Sequence, residues 1–167
     1  MVDASKGRRS LALVCFELRG QELALPIADV RETLPILPIT RVVLTPSCLA
    51  GVFSLRGDIV PAIDLGVLLG LGRTQIGETS RIVVIDHVHS AIGIVVDRLR
   101  DLRTIDGAEG GPALESPPPN LEATVAQLLL GIVATTTGTV RVLDAKAIVE
   151  TEALRALSGG TDEKVET

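Results

Sequence analysis

The chain has 167 residues, of which 46% are hydrophobic, enough to build the core of one domain or of two small subdomains that share an interface. It has two phenylalanines, no tryptophan or tyrosine, and a net charge of −5 at pH 7. This composition argues against nucleic-acid binding, which favours aromatic rings and a basic stripe. No apolar run approaches the roughly eighteen residues of a membrane span, and no signal peptide is evident, so we expect a cytoplasmic protein.

The first part of the chain alternates short apolar runs with turn residues. Residues 1–9 are polar and are predicted to form a disordered N-terminus. The runs LALVCFEL and ELALPI flank Arg19–Gly20 and predict a β-hairpin. Because proline cannot donate a ladder hydrogen bond, Pro26 predicts either that the second strand lies at an edge or that it leaves the sheet there.

The next segment, ADVRETL, is predicted to be a short helix that begins at Asp29. Its residues Val30 and Leu34 are four apart and lie on one side of such a helix, which places Glu32 on the polar side. Residues 35–50 contain three prolines and are predicted to be an irregular crossing segment.

An internal repeat is the most informative feature of the chain. Residues 51–64, GVFSLRGDIVPAID, share their layout with residues 131–144, GIVATTTGTVRVLD. In both segments a glycine opens a strand, a turn containing glycine follows, and an apolar run ends on aspartate. Each copy predicts a hairpin that leads into a short helix, so the architecture is expected to be doubled.

The first copy also predicts where its side chains point. Along strand 51–56, Arg56 is expected on the face opposite Phe53 and Leu55. Strand 58–63 is apolar on both faces and is therefore predicted to be a central strand.

The second half of the chain continues with short elements. RIVVID and SAIGIVVD predict another hairpin around His87–His89. Residues 106–120 are rich in glycine and proline and are predicted to be a loop. A last helix is predicted over roughly 144–157, followed by a flexible polar tail at 158–167.

Four aspartates stand between a predicted strand end and a short apolar turn. They are Asp29, Asp64, Asp97 and Asp144. This shared position indicates helix capping rather than acid–base chemistry. Many short strands at hairpin spacing, together with the repeat, predict two antiparallel barrels between which strands of the two sequence halves exchange.

The sequence contains few residues in patterns that carry chemistry. His87 and His89 are two positions apart but lack the further ligands of structural zinc, so we predict a solvated turn and no metal site. Cys15 and Cys48 lack metal spacing and are predicted to be buried small residues in a reducing compartment. No G-x-S-x-G elbow or phosphate-binding glycine motif is present, which predicts a protein that is not an enzyme and has no cofactor.

Glu32 and Arg56 are the remaining candidates for function. A surface ion pair between them would contribute little stability. Arginine in an apolar rim is a common anchor of protein interfaces. The pattern alone leaves both interpretations open.

Residues 51–64 resemble the signature of the CheW family of bacterial chemotaxis coupling proteins, G-V-x-N-L-R-G-x-I-V-P-x-x-D. The resemblance extends to LALPIADVRE at 23–32, to the hairpin at 82–99 and to the closing segment 129–149, and it covers essentially residues 11–157. Ser54 stands where asparagine is usual, and Arg81 begins a strand that can be apolar in relatives.

The resemblance implies a mostly β fold of two interlocked SH3-like five-stranded β-barrels, with short helices and a C-terminal helix. It implies a single domain over residues 10–157, without catalytic activity. Such proteins couple the cytoplasmic tip of transmembrane methyl-accepting chemoreceptors to the regulatory domain of the histidine kinase CheA.

The resemblance also assigns candidate residues. Val30 and Glu32 match the receptor-contacting V-x-E of the family, and Arg56 matches the arginine of its L-R-G. The residues that would bind the kinase are not identified. An adaptor of another chemosensory pathway, for type IV pilus motility or developmental signalling, is the alternative.

Overall fold

The computed structural model describes residues 10–87, 90–106, 114–136, 138–151 and 154. Its strands are β1 Ser10–Leu18, β2 Gln21–Pro26, β3 Val30–Pro35, β4 Leu49–Leu55, β5 Asp58–Asp64, β6 Arg81–His87, β7 Ser90–Val96, β8 Arg98–Asp106, β9 Leu129–Thr135 and β10 Gly138–Leu143. Its helices are short: α1 Leu65–Leu68, α2 Ala123–Ala126, α3 Ala145–Val149 and a 3₁₀ turn at Ile27–Asp29. In the described part of the chain, no helix has the length and apolarity to cross a bilayer.

The strands form two five-stranded sheets with strands exchanged between the sequence halves. The first sheet, called barrel A, has the order β8-β1-β2-β10-β9, and the second, called barrel B, has the order β3-β6-β7-β5-β4. Strand β3 follows β2 in the chain but pairs with β6, and β8 follows β7 but pairs with β1. The mostly β fold, its doubling and the strand exchange are therefore confirmed.

One backbone bridge closes each sheet into a barrel. In barrel B, Thr40 and Val52 exchange two N–H···O hydrogen bonds of 2.8 Å. In barrel A, Glu115 and Ile132 make the equivalent pair, also at 2.8 Å. In each case the chain that leaves one edge strand, β3 or β8, returns to pair with the opposite edge strand, β4 or β9. The bridge thus covers the outer edge of β4 or β9, which would otherwise be free to pair with another chain.

Three clusters of buried apolar side chains hold the barrels together. One cluster lies inside barrel A: Leu13, Cys15, Ala24, Val133, Val140 and Val142. A second lies inside barrel B: Phe53, Val60, Ala62, Ile82, Val84, Ala91 and Val95. The largest draws on both barrels and on the helices, with Phe16, Leu23, Ile63, Ile85, Ile94 and Leu143 among its members. The barrels therefore share a core as well as exchanging strands.

Two of the four predicted capping aspartates cap helices. The carboxylate of Asp64 accepts a hydrogen bond from the Val67 amide at 3.3 Å. The carboxylate of Asp144 accepts one from the Ala147 amide at 3.1 Å. The repeated aspartates thus satisfy free amides at the starts of α1 and α3, as predicted.

The capping prediction is wrong for the other two aspartates. Asp29 ends a 3₁₀ turn, and the predicted helix ADVRETL is strand β3 from Val30 onward. Asp97 precedes strand β8, and its carboxylate accepts a hydrogen bond from the Arg19 amide at 2.7 Å. In both cases pairing with a distant strand, β6 or β1, overrides the local spacing.

Some other elements of the structure differ from, or agree with, the predicted ones as follows. Strand β2 pairs on both sides, so Pro26 marks the end of a strand and not an edge. Strand β5 also pairs on both sides, as its apolar faces predict. The last helix ends at Val149 and does not continue unbroken to residue 157.

The hairpin around His87–His89 and the one around Arg19–Gly20 are confirmed, although His89 lies outside the described residues.

Candidate functional site

A β-bulge in strand β3 separates two of the three predicted site residues. Val30 is opposite Ile85 and Glu32 is opposite Val84, so Arg31 is the extra residue. Directly paired residues share a face of the sheet. Ile85 belongs to the core between the barrels, whereas Val84 belongs to the core inside barrel B. Val30 and Glu32 therefore point to opposite faces, although an unbroken strand would have placed them together.

Arg56 lies at the tip of the β4–β5 hairpin and not on a strand. Strand β4 ends at Leu55, and Arg56 and Gly57 form the two-residue connection with φ angles of +51° and +89°. Positive φ at both positions is the geometry of a tight type I′ hairpin turn. The expected position of Arg56 on the strand face opposite Phe53 is thus corrected: the turn projects the side chain from the end of barrel B.

Glu32 and Arg56 meet in a two-point ion pair. Arg56 Nη1 donates to Glu32 Oε2 at 2.6 Å, and Nη2 donates to Oε1 at 2.7 Å. The Glu32 side chain is 21% exposed and that of Arg56 is 70% exposed. Glu32 therefore fixes the plane of the guanidinium, and most of the Arg56 side chain stays open to solvent.

The same contacts determine the protonation of the pair. The hydrogen bonds from Arg56 lower the pKa of Glu32 below its ordinary value. They also raise the pKa of Arg56. Both groups are therefore charged at neutral pH, and the pair persists into mildly acidic solution.

A prediction about pH follows from the lowered pKa. We expect Glu32 to titrate below the ordinary glutamate range in the native chain and to return toward it in Arg56→Ala. Because the pKa of Glu32 is lower in the folded chain than in the unfolded chain, the pair stabilises the fold at pH values above the unfolded-state pKa. This stabilisation is lost as the pH falls through the folded-state pKa. An NMR titration of the Glu32 carboxyl carbon measures both values. The same titration curve in the variant would refute the contact in solution.

A groove of about 350 Å³ runs beside the pair. Its lining includes Arg31, Arg56, Asp58, Ile59 and Ala91. The side chain of Ile59 is 69% exposed although its strand is central in the sheet. The groove thus combines charged groups with an exposed apolar surface, a combination typical of a protein-binding site.

Ile59 was not identified from the sequence. It lies in strand 58–63, whose apolar faces predict a central strand. Its partner across the β4–β5 hairpin is Ser54, a polar residue on the outer face. The sequence signal for the exposure of Ile59 was therefore its position opposite a polar residue in the predicted hairpin.

Val30 belongs to a different surface. It is half-buried and packs against the core between the barrels. Of the three predicted site residues, the structure brings Glu32 and Arg56 into contact and places Val30 on the other face of β3.

One cluster in barrel A has the composition of a metal site. Ligand atoms of Cys15, Glu22 and Asp101 lie within 4.8 Å of one another. Burial raises the pKa of the Cys15 thiol to about 11, so this ligand is protonated at neutral pH. Arg103 lies within 3.3 Å of both carboxylates and supplies the counter-charge. The cluster is better explained as an ion pair beside a buried thiol than as a metal centre.

Both cysteines are buried and free, as predicted. The CheW-like domain matches residues 12–153. The chain belongs to the CheW family.

Relatives of known name agree with this assignment. The chain is 31% identical over 106 residues to "Chemotaxis protein CheW" of Helicobacter pylori, and the match spans 64% of each chain. It is 32% identical over 130 residues to "Protein FrzA" of Myxococcus xanthus, covering 78% of each. The crystal structure of scaffolding protein TtCheW from Thermoanaerobacter tengcongensis superposes with a TM-score of 0.74 and 28% identity, covering 86% of this chain and 90% of that one. The two SH3-like barrels are therefore the fold of this CheW-family chain.

Proposed function

We propose that this chain is a non-catalytic adaptor that couples transmembrane chemoreceptors to the histidine kinase CheA in chemotaxis. Membership of the CheW family and the similarity to a protein described as a scaffold support this role. In this proposal the chain works in the cytoplasm, next to receptor arrays at the inner membrane. Residues 10–157 act as one domain, since a shared core joins the barrels.

The observation that carries the proposal is the exposed guanidinium of Arg56. A two-residue turn fixes its backbone, and Glu32 fixes its plane through two hydrogen bonds. A side chain held in this way loses little conformational entropy when it binds a partner. Arg56 is therefore prepared for recognition and contributes little as a packing residue.

In this proposal the cytoplasmic tip of a receptor lies in the groove beside Arg56. Such a tip is a helical hairpin, whose apolar stripe would cover Ile59 while its polar side meets Arg56. Glu32 acts here as the positioning residue for Arg56. Val30, on the opposite face of β3, would contribute through the core between the barrels rather than by the same direct contact.

The kinase would bind at a barrel edge. Strand β8 is an edge of barrel A, and its Leu102 side chain is 69% exposed. A similar barrel in the regulatory domain of the kinase could pair with this edge in an isologous manner. The opposite edge, β9, carries Leu130, which is 44% exposed and offers a matched comparison.

Substitution of Leu102 tests this edge. We expect Leu102→Asp to weaken binding of the CheA regulatory domain about tenfold, because a charge replaces an apolar contact in the interface. Receptor binding should remain, since barrel B is unchanged. Leu130→Asp is the control, and a loss in this variant alone would move the kinase surface to β9. Pull-down of the purified regulatory domain measures the difference.

Reconstitution tests the function itself. A receptor fragment, CheA and this chain are combined, and phosphorylation of the kinase is followed with and without the chain. We expect receptor control of phosphorylation only when the chain is present. Equal phosphorylation in its presence and absence would refute the adaptor role.

A second candidate function is an adaptor in another chemosensory pathway, such as type IV pilus motility or developmental signalling. The chain is similar to "Protein FrzA" as well as to proteins named for chemotaxis, so the names of its relatives do not all point to one pathway. The receptor and kinase recovered with the tagged chain from its own cells would distinguish the two pathways.

A further inference from the structure

A small pocket lies at the seam between the two barrels, beside the one-residue connection from β7 to β8. We call it the seam pocket. Its lining residues are Glu78, Thr79, Arg81, Arg98 and Leu99, and its volume is about 230 Å³. Pockets for small ligands begin at roughly 300 Å³, so the seam pocket has room for one side chain rather than for a metabolite.

Hydrogen bonds hold the two walls of the seam pocket together. One wall belongs to barrel B, where Arg81 begins β6, and the other belongs to barrel A, where Arg98 begins β8. The Thr79 hydroxyl donates to the carbonyl oxygen of Asp97 at 2.8 Å, and the Asp97 amide donates to the carbonyl oxygen of Glu17 at 3.0 Å. The walls are therefore fixed before a partner arrives, which reduces the entropy that binding costs.

Arg81 has a fixed guanidinium with a free two-donor edge. Its Nη1 donates to the carbonyl oxygens of Glu78 at 3.2 Å and of Ser80 at 2.8 Å. These bonds orient the group but do not neutralise it, because both acceptors are uncharged. Among the residues that the structure describes, none accepts from its Nε or Nη2, and no carboxylate forms an ion pair with it. Nε and Nη2 are the edge that binds a carboxylate through two parallel hydrogen bonds.

Arg81 differs in this respect from the other arginines of the described ranges. Five of them already face a carboxylate: Arg31, Arg56, Arg98, Arg100 and Arg103. Arg19, Arg41 and Arg73 are exposed, whereas Arg81 is half-buried. Arg141 is also half-buried, but no hydrogen bond within the described chain orients its guanidinium. A partly desolvated, oriented and unneutralised guanidinium favours binding of an anion.

The other groups around the seam pocket suit an acidic side chain. The Glu17 carboxylate serves two guanidiniums, with Arg100 Nη1 at 3.1 Å and Arg98 Nη1 at 3.6 Å, so the barrel A wall has an excess of positive charge. Glu78 is exposed and forms no ion pair with the described residues, so it does not neutralise Arg81. Leu99 is half-buried and adds an apolar surface on which methylene groups can pack.

We propose that the seam pocket binds the carboxylate of a glutamate side chain in an acidic segment of a partner protein. The carboxylate accepts hydrogen bonds from Nε and Nη2 of Arg81, and the methylene groups of the glutamate lie against Leu99. A lysine would be repelled by the arginines, and an apolar side chain would leave the Arg81 edge desolvated without an acceptor. The inference does not depend on the adaptor role.

The first test titrates the full chain, labelled with ¹⁵N, with an acetylated and amidated peptide of four glutamates. We expect the amides of residues 78–81 and 98–99 to shift as the peptide binds. The matching peptide of four glutamines should bind at least about tenfold more weakly, because it lacks the charged partner of Arg81. Equal binding of the two peptides would overturn the inference.

Variants of Arg81 test the two-donor edge. Arg81→Gln should weaken binding of the glutamate peptide about tenfold, and Arg81→Lys should give an intermediate affinity because it keeps the charge but loses the edge. Glu78→Gln should tighten binding, since it removes a like charge beside the pocket. The exposed Arg73→Gln is the matched control and should bind as the native chain does. Amide shifts of residues far from the pocket check that each variant is folded.

Two further outcomes are decisive. Native affinity in Arg81→Gln would overturn the inference. Inorganic phosphate that shifts the same amides at an equal or lower concentration than the glutamate peptide would also overturn it, because the pocket would then be a site for free phosphate. Arg56→Ala should leave the shifts at residues 78–81 unchanged, so this inference and the adaptor proposal can fail separately.

Discussion

Arg56→Ala is expected to weaken co-sedimentation of the chain with receptor fragments about tenfold or more. The side chain is 70% exposed, so its removal leaves no cavity in a core. The turn backbone remains, since Gly57 still provides the positive φ of its second position. The melting temperature should therefore stay within about 2 °C of the native value. Co-sedimentation and calorimetry on the same preparation measure the two effects.

Two further variants separate charge from geometry at this site. Arg56→Lys keeps the charge but cannot make the two-point contact with Glu32, so we expect intermediate binding. Glu32→Gln keeps the size of the positioning side chain but removes its charge, and should also reduce binding. Arg73→Ala, another exposed arginine, is the control. A large fall in melting temperature with normal receptor binding in Arg56→Ala would show a structural role instead.

The doubled fold could be predicted because its signals are local. A two-residue turn such as Arg19–Gly20 and the strands beside it lie within a few positions of one another. The repeat at 51–64 and 131–144 showed that two such units exist. The bridges that close the barrels could not be predicted in the same way, since Thr40 and Glu115 lie in segments without a strand pattern.

The helix predicted at ADVRETL is wrong because this segment is a strand with a β-bulge. Val30 and Leu34 are four residues apart, which is typical of one side of a helix. In the structure Val30 packs on the core between the barrels and Leu34 on the core inside barrel B. The extra residue, Arg31, changes the face on which the strand buries its apolar side chains. A strand with a bulge can therefore imitate helical spacing.

The candidate site was predicted in part. The sequence supplied Glu32 and Arg56 as residues but not their contact, because they are 24 positions apart and meet only when β3 and the β4–β5 turn lie at the same end of barrel B. The resemblance to the family motif V-x-E implied that Val30 and Glu32 both contact the receptor. The register of β3 on β6 places them on two faces.

Gly51→Ala is expected to have the largest effect on stability. A Cβ atom at residue 51 would lie 2.3 Å from the carbonyl oxygen of Thr40, and the φ of +154° is one that side chains rarely adopt. Thr40 cannot move away without breaking its two hydrogen bonds to Val52, which close barrel B. The substitution should therefore lower the free energy of unfolding by about 3 kcal/mol, or the melting temperature by roughly 8 °C.

Alanine variants at two other glycines distinguish the cost of the close approach from the cost of the backbone strain. Gly131→Ala repeats the close approach in barrel A, with the Glu115 carbonyl oxygen 2.8 Å from the new Cβ, and should cost about 2 kcal/mol. Gly57→Ala has a φ of +89° but open space around it, and should cost about 1 kcal/mol. If the bridges close the barrels, chemical denaturation should show the largest loss of unfolding free energy at Gly51, a smaller loss at Gly131 and the smallest loss at Gly57. Equal losses at Gly51 and Gly57 would mean that backbone strain alone sets the cost and that the Thr40–Val52 bridge is not formed in solution.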